Sequence, residues 1–185
     1  MEIRKTHIDD LLVIKPDVYN DDRGCFLEGY NRKRYADAGI ACEFFQDNCS
    51  FSCRGTVRGL HYQIGDYAQG KLVTVLHGRV LDVAVDVRFG SPTFGEHVAV
   101  ELTDENHLQF WLPPGFAHGF AVLSETATFF YKCTSYYHQQ SERSIRFDDP
   151  DLNIAWNVTN PIVSAKDLKA LPFKSIEKDF VFGSR

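Results

Sequence analysis

The chain lacks the features that would place it in several large classes. Its five cysteines, Cys25, Cys42, Cys49, Cys53 and Cys133, form an odd set without a Cys-x-x-Cys pair. That pattern supports neither a disulfide framework nor a zinc knuckle and fits reduced thiols in a cytosol. No apolar run approaches the length of a membrane span, and Met1-Glu2-Ile3-Arg4-Lys5 opens no signal-peptide core, so a cytoplasmic protein with no membrane contact is expected. Without a secretory signal, the glycosylation sequons Asn48-Cys49-Ser50 and Asn157-Val158-Thr159 read as accidental. Basic residues are not in excess. Twenty Lys and Arg against 25 Asp and Glu leave a net charge of -5, which argues against a general nucleic-acid binder while leaving room for a small anionic ligand held by a few cations. There is no linker, repeat or low-complexity tract, and 185 residues with 44% hydrophobic side chains suffice for one well-buried core, so a single domain over residues 1–185 is expected.

What is present points to β-structure. Fifteen Phe and eight Tyr beside one Met favour strands and stacking surfaces over helical bundles. From Lys71 to Leu112, short β-rich runs alternate with turn residues: Leu72 to Leu76, Val80 to Val87, His97 to Leu102 and His107 to Leu112. This spacing predicts an all-β, antiparallel jelly-roll barrel with a few short peripheral helices. Val83, Val85 and Val87 alternate with Asp82, Ala84, Asp86 and Arg88, giving one apolar and one charged strand face. The two acids could line a cavity; a solvent-exposed face is the plainer expectation. Asn31 to Ala38, stopped by Gly39, is the best helix, and Ala165 to Leu171 is a second short candidate.

Three segments carry the chemistry. Arg58-Gly59-Leu60-His61-Tyr62-Gln63, Pro113-Pro114-Gly115-Phe116-Ala117-His118 and Ser164-Ala165-Lys166-Asp167 together supply two histidines, a lysine and a carboxylate to what could be one pocket. Tyr131, Tyr136 and Tyr137 form a further cluster that on its own reads as core or interface aromatics. An imidazole base, a phenol acid and an ammonium suit proton movement beside a carbonyl. Gly65 to Lys71 copies the spacing of a phosphate-binding P-loop, but Leu72 replaces the magnesium-binding hydroxyl and a strand follows where a helix is required, which removes an ATPase. Lys71 stays a candidate contact for an anion or enolate. Pro113-x-Gly115-x-x-His118 has the form of the second cupin motif, yet the first offers only His61-Tyr62-Gln63, too few clustered ligands for a metal shell. His7, His97, His107 and His138 read as surface or core-bonded residues. No Gly-x-Ser-x-Gly elbow supports a serine hydrolase.

At this density the residues resemble the dTDP-4-dehydrorhamnose 3,5-epimerases, cupin-fold sugar-nucleotide epimerases that use no metal. The resemblance runs from about residue 8 to residue 168 through Asp22-Arg23-Gly24 with Glu28, Phe45-Gln46-Asp47-Asn48, Arg58 to Gln63, Gln69 to Val73, Asp82 to Asp86, Ser91 to Gly95, Gly115 to Phe120, Tyr131-Lys132 and Ser164 to Asp167. It implies His61 as proton acceptor, Asp167 as its orienting carboxylate, Tyr131 as proton donor and Lys71 beside the reacting sugar. His118 would be a further sugar contact, Arg23, Glu28, Gln46, Asn48, Arg58, Glu142 and Lys166 other ligand contacts, and Tyr137 the residue stacked on thymine. It further implies no cofactor, and a homodimer whose N-terminal segment reaches the neighbouring site. Departures at Cys25, Leu27, Gly29, Ser135 and Asn157 spare the catalytic trio. They leave open an enzyme inverting C3 or C5 alone. A non-catalytic sugar-nucleotide-binding cupin and a metal-dependent cupin are the other rivals.

Overall fold

A computed structural model describes residues 1–183. The first half of the chain supplies β1 (Glu2–Lys5), β2 (Leu12–Lys15), β3 (Val18–Asp21), β4 (Gly24–Leu27), α1 (Arg32–Asp37), β5 (Gln46–Cys53), β6 (Thr56–Gln63), β7 (Lys71–His77), β8 (Arg79–Asp86) and β9 (Arg88–Phe89). The second half adds β10 (His97–Thr103), β11 (Gln109–Leu112), β12 (Phe116–Val122), β13 (Thr126–Cys133), β14 (Glu142–Ser144), β15 (Ile162–Val163) and β16 (Phe180–Val181). One sheet runs β1-β2-β11-β7-β13-β5, the other β10-β8-β12-β6-β14 with β15 added in parallel to β6. The pairing is otherwise antiparallel within these two sheets, and they form a jelly roll as the strand spacing predicts.

Three apolar layers hold the roll together. Between the sheets, Val73, Phe110 and Phe129 meet Val80, Ala84 and Phe120. Behind the second sheet, Leu81, Val83 and Val85 pack under Leu152 and Trp156. Behind the first sheet, Leu72 and Trp111 pack against Tyr35 of α1. This layering corrects the expectation of a solvent-exposed acidic face on β8. The strand lies mid-sheet, its valine face covered by the C-terminal segment and its acidic face turned between the sheets, where Asp82 and Asp86 are both fully buried.

The helix forms where expected, because Asn31 accepts hydrogen bonds from the N–H groups of Lys33 and Arg34 and Gly39 adopts a φ of +93° past its end. Its Tyr35 hydroxyl donates to Gln109 Oε1 at 2.6 Å. The second helical candidate shrinks to a three-residue 3₁₀ turn, Asp167–Lys169. Leu168 and Leu171 point to solvent, so no apolar stripe is buried there to sustain a longer helix.

One irregularity positions the cavity. His61 pairs with His118 and Arg58 with Phe120, so β6 carries two residues, Gly59 and Leu60, against the single Gly119 of β12. In a regular strand Arg58 and His61 would face opposite ways; the extra residue turns both to the same side. Gly59 has a φ of +119°, and a Cβ there would meet Gly119 Cα at 2.5 Å and His118 O at 2.7 Å. Strain and overpacking each cost about 1–3 kcal/mol, so Gly59→Ala should destabilise the fold by about 2–6 kcal/mol in urea unfolding. A loss under about 1 kcal/mol would show that the bulge relaxes without this glycine.

Candidate active site

The interior between the sheets opens into two adjoining pockets of about 470 and 250 Å³. They share His61, Lys71 and Tyr131, so these three side chains stand at the junction of one larger cleft, within the usual size for a small-molecule site. His61 comes from β6 in one sheet and Lys71 and Tyr131 from β7 and β13 in the other, so imidazole and phenol face each other across the roll.

His61 Nε2 lies 2.6 Å from Asp167 Oδ1. The 3₁₀ turn that replaces the expected helix aims Asp167 inward, its backbone N–H donating to Ser164 Oγ at 3.1 Å. Burial pushes the Asp167 carboxyl up, but the bond and charge of His61, with the Gly59 N–H and Ser164, outweigh it and leave the pKa below the ordinary 3.8. An ionised Asp167 can only accept, so Nε2 carries a hydrogen, and in the neutral ring Nδ1 is the nitrogen that keeps the lone pair. Burial lifts the Tyr131 phenol to about 12, which keeps it protonated, and pushes the Lys71 ammonium below its usual value against the pull of Cys133, Asp82 and Glu142.

The remaining expected contacts divide into two groups. Arg58, His118 and Lys166 line the larger pocket, and Gln46, Asn48, Tyr137 and Glu142 the smaller. Gln46 donates to Asn48 Oδ1 at 3.0 Å and accepts from the Tyr137 N–H at 2.9 Å, while Glu142 accepts from the Tyr137 hydroxyl at 3.0 Å and from Lys166 Nζ. Arg23 and Glu28 are not part of this cavity in their own chain. Arg23 is solvent-exposed at the β3–β4 turn, paired with Asp21, and Glu28 is engaged by Arg34 and Asn31.

Three side chains enter the site that sequence reasoning left out of it. Ser50 lines the larger pocket, its hydroxyl buried and without a hydrogen-bond partner among the described residues. Gln63 is buried and fixes the tyrosine loop, donating to Tyr67 O and Tyr136 O and accepting from the His138 N–H. Asp82 binds His118; the sequence marked it through the acidic alternation on β8 and the Asp82 to Asp86 segment, without a role in the site. Among the described residues, no group of three or more His, Cys, Asp or Glu side chains could hold a metal ion, and no helix is long and apolar enough to cross a membrane.

Comparisons with known proteins agree on one group. The profile described as dTDP-4-dehydrorhamnose 3,5-epimerase matches residues 5–175. A protein of that name from Shigella flexneri is 50% identical over 174 residues, covering 94% of this chain and 96% of its own. The structure of the dTDP-6-deoxy-D-glucose-3,5-epimerase of Legionella pneumophila Philadelphia 1, in complex with dTDP-4-keto-L-rhamnose, superposes with a TM-score of 0.95 at 50% identity over 99% of both chains. A dTDP-4-dehydrorhamnose 3-epimerase from Streptomyces niveus is more distant, 37% identical over 92% of this chain and 83% of that protein.

The lowered pKa of Asp167 fixes a sign. A carboxylate held below its unfolded value contributes stability that is fully present above about 4 and is lost as pH falls through the folded value. Asp167→Asn should therefore flatten the acid limb of stability against pH below about 4. An unchanged limb in urea titrations would mean that the pair contributes nothing to it.

Proposed function

The chain belongs to the dTDP-4-dehydrorhamnose 3,5-epimerase family, and on that premise we propose that it converts dTDP-4-dehydro-6-deoxy-D-glucose to dTDP-4-dehydro-L-rhamnose, an isomerase step of dTDP-L-rhamnose biosynthesis. The observation that carries the reading is the placement of His61 and Tyr131 on strands of two facing sheets. The C4 ketone acidifies the hydrogens on C3 and C5, and loss of either gives an enolate. Inversion then requires a proton from the opposite face. His61 Nδ1 removes the proton while Asp167 steadies the imidazolium, and Tyr131 returns one from the other wall. Lys71 and His118 face the developing oxyanion. Arg58, Gln46, Asn48, Glu142 and Lys166 hold the nucleotide sugar, and Tyr137 stacks on thymine. Inversion at both carbons is favoured over inversion at one, since identity is 50% to a 3,5-epimerase against 37% to a 3-epimerase.

The chain acts in the cytoplasm as a homodimer. Arg23 and Glu28 lie outside their own cavity, so they serve the site of a second copy, carried there by the β3–β4 hairpin. Exposed Phe26, Phe51 and Leu76 offer that copy apolar area. Sedimentation should give about twice 21.1 kDa. Arg23→Ala should raise KM about tenfold or more with kcat nearly retained, as expected for loss of a charged hydrogen bond. A monomer with full activity would remove this arrangement.

Proton NMR of the 4-keto sugar in D₂O tests the chemistry. Deuterium should enter both C3 and C5 with inversion. His61→Ala should lower turnover by about 10²–10⁴-fold, and Tyr131→Phe should suppress inversion while some hydrogen still washes out. Exchange confined to one carbon would reassign the protein as a single-site epimerase. Wild-type inversion by Tyr131→Phe would remove Tyr131 as the acid.

A further inference from the structure

The cavity contains two histidine–aspartate pairs that are alike in geometry and opposite in surroundings. His61 on β6 and His118 on β12 are register partners, and each turns Nε2 onto a carboxylate, at 2.6 Å to Asp167 Oδ1 and 2.9 Å to Asp82 Oδ2. The side chain of His61 is 27% exposed, whereas His118 is 7% exposed and Asp82 fully buried. The second oxygen decides the chemistry. Asp167 Oδ2 receives the Gly59 N–H at 3.5 Å and the carboxylate sits at the cavity wall. Asp82 Oδ1 is buried without a hydrogen-bond partner among the described residues.

A carboxylate with one oxygen unpartnered in the interior is costly, whereas a neutral carboxyl leaves only a carbonyl oxygen unsatisfied. Burial pushes Asp82 up and His118 down, each toward its neutral form. The charged groups facing them do not undo this. Lys71 pulls Asp82 down, but Lys71 and His61 also oppose a charged His118. The pair therefore holds two hydrogens. One lies between Oδ2 and Nε2, and wherever it sits on that line the other remains on Nδ1 of His118.

We infer that Asp82 is a positioning residue that keeps a hydrogen on Nδ1 of His118, so that the second histidine–aspartate pair works as a hydrogen-bond donor to the reacting oxygen while the first works as a base. This assignment rests on the epimerase reading of the site. The same two residue types thus take opposite roles because their environments drive them apart, as paired acids do in other enzymes. An Nδ1–H is a preorganised donor for an oxyanion, and it is lost if Nε2 takes the ring hydrogen instead.

Two measurements test it. In the wild-type protein, nitrogen-15 NMR of labelled histidines at neutral pH should show His118 protonated on Nδ1 and His61 protonated on Nε2. A bare Nδ1 on His118 would overturn the inference whatever the activity. In kinetics, Asp82→Ala should lower kcat about 10²-fold with KM changed little, matching loss of one oxyanion donor. Asp82→Asn can donate its amide hydrogen to Nε2 as the carboxyl does, and should recover kcat to within about tenfold of wild type. An Asp82→Asn protein as slow as Asp82→Ala would overturn the positioning role. If the wild-type protein left the 4-keto sugar unchanged, the epimerase reading would fail, while the NMR result would still decide the proton on His118.

Discussion

The site depends on one backbone contact, the approach of β6 to β12 at Gly59 and Gly119. A Cβ on Gly119 would stand 2.7 Å from Arg58 O, and one on Gly59 would strike Gly119 Cα, so neither position accommodates a side chain without movement of a strand. The extra residue on β6 follows from that contact. It turns Arg58 and His61 inward together, sets His61 beside His118, and leaves the Gly59 N–H directed at Asp167. A local backbone irregularity thus arranges three polar side chains and the carboxylate that orients one of them.

The two acids on the inner face of β8 show how burial separates structure from chemistry. Asp86 takes the fork of Arg88, whose Nε and Nη2 donate at 2.9 and 2.8 Å, and accepts from Ser91 and Thr93 as well. Burial pushes it up, but those donors hold its pKa below the ordinary value, and Arg88 is fixed over the ring of Phe116. Asp82, four residues earlier on the same face, has one imidazole and an empty oxygen. The first acid is fully satisfied and clamps the end of the strand. The second bonds only to His118 among the described residues, and in the role inferred for it sets where that ring carries its hydrogen.

Much of this architecture was legible in the chain because short alternating strands and turn residues report a jelly roll directly. His61, Lys71, His118, Tyr131 and Asp167 could be named because their motifs are dense and occupy contiguous segments. The burial of β8 was not legible. Alternation tells which residues share a face, but not whether a C-terminal segment returns to cover the other, and here Trp156 and Leu152 do so. The turn at Asp167 escaped for a similar reason, since a short run with helical propensity gives no measure of the apolar surface it can bury. The Asp82–His118 pair joins two strands through a register that only the folded sheet defines.

A net charge of -5 is compatible with an anionic ligand because the cavity's charges do not follow the chain's average. Arg58, Lys71 and Lys166 line it, while the nearby acids are compensated: Glu142 by Lys166, Asp167 by His61, and Asp82 by the proton it shares with His118. Held between low-dielectric walls, Lys71 acts over a longer range than a surface lysine, while Arg58 and Lys166 are solvent-exposed. Lys71 also bears a cost, since burial draws its pKa down against the opposing pull of Cys133, Asp82 and Glu142. Negative charge arriving or developing beside it favours the ammonium. Anion binding and the protonation of Lys71 therefore reinforce one another, and the stabilisation is greatest where charge on the ligand is greatest, which is at the enolate and not at the ketone.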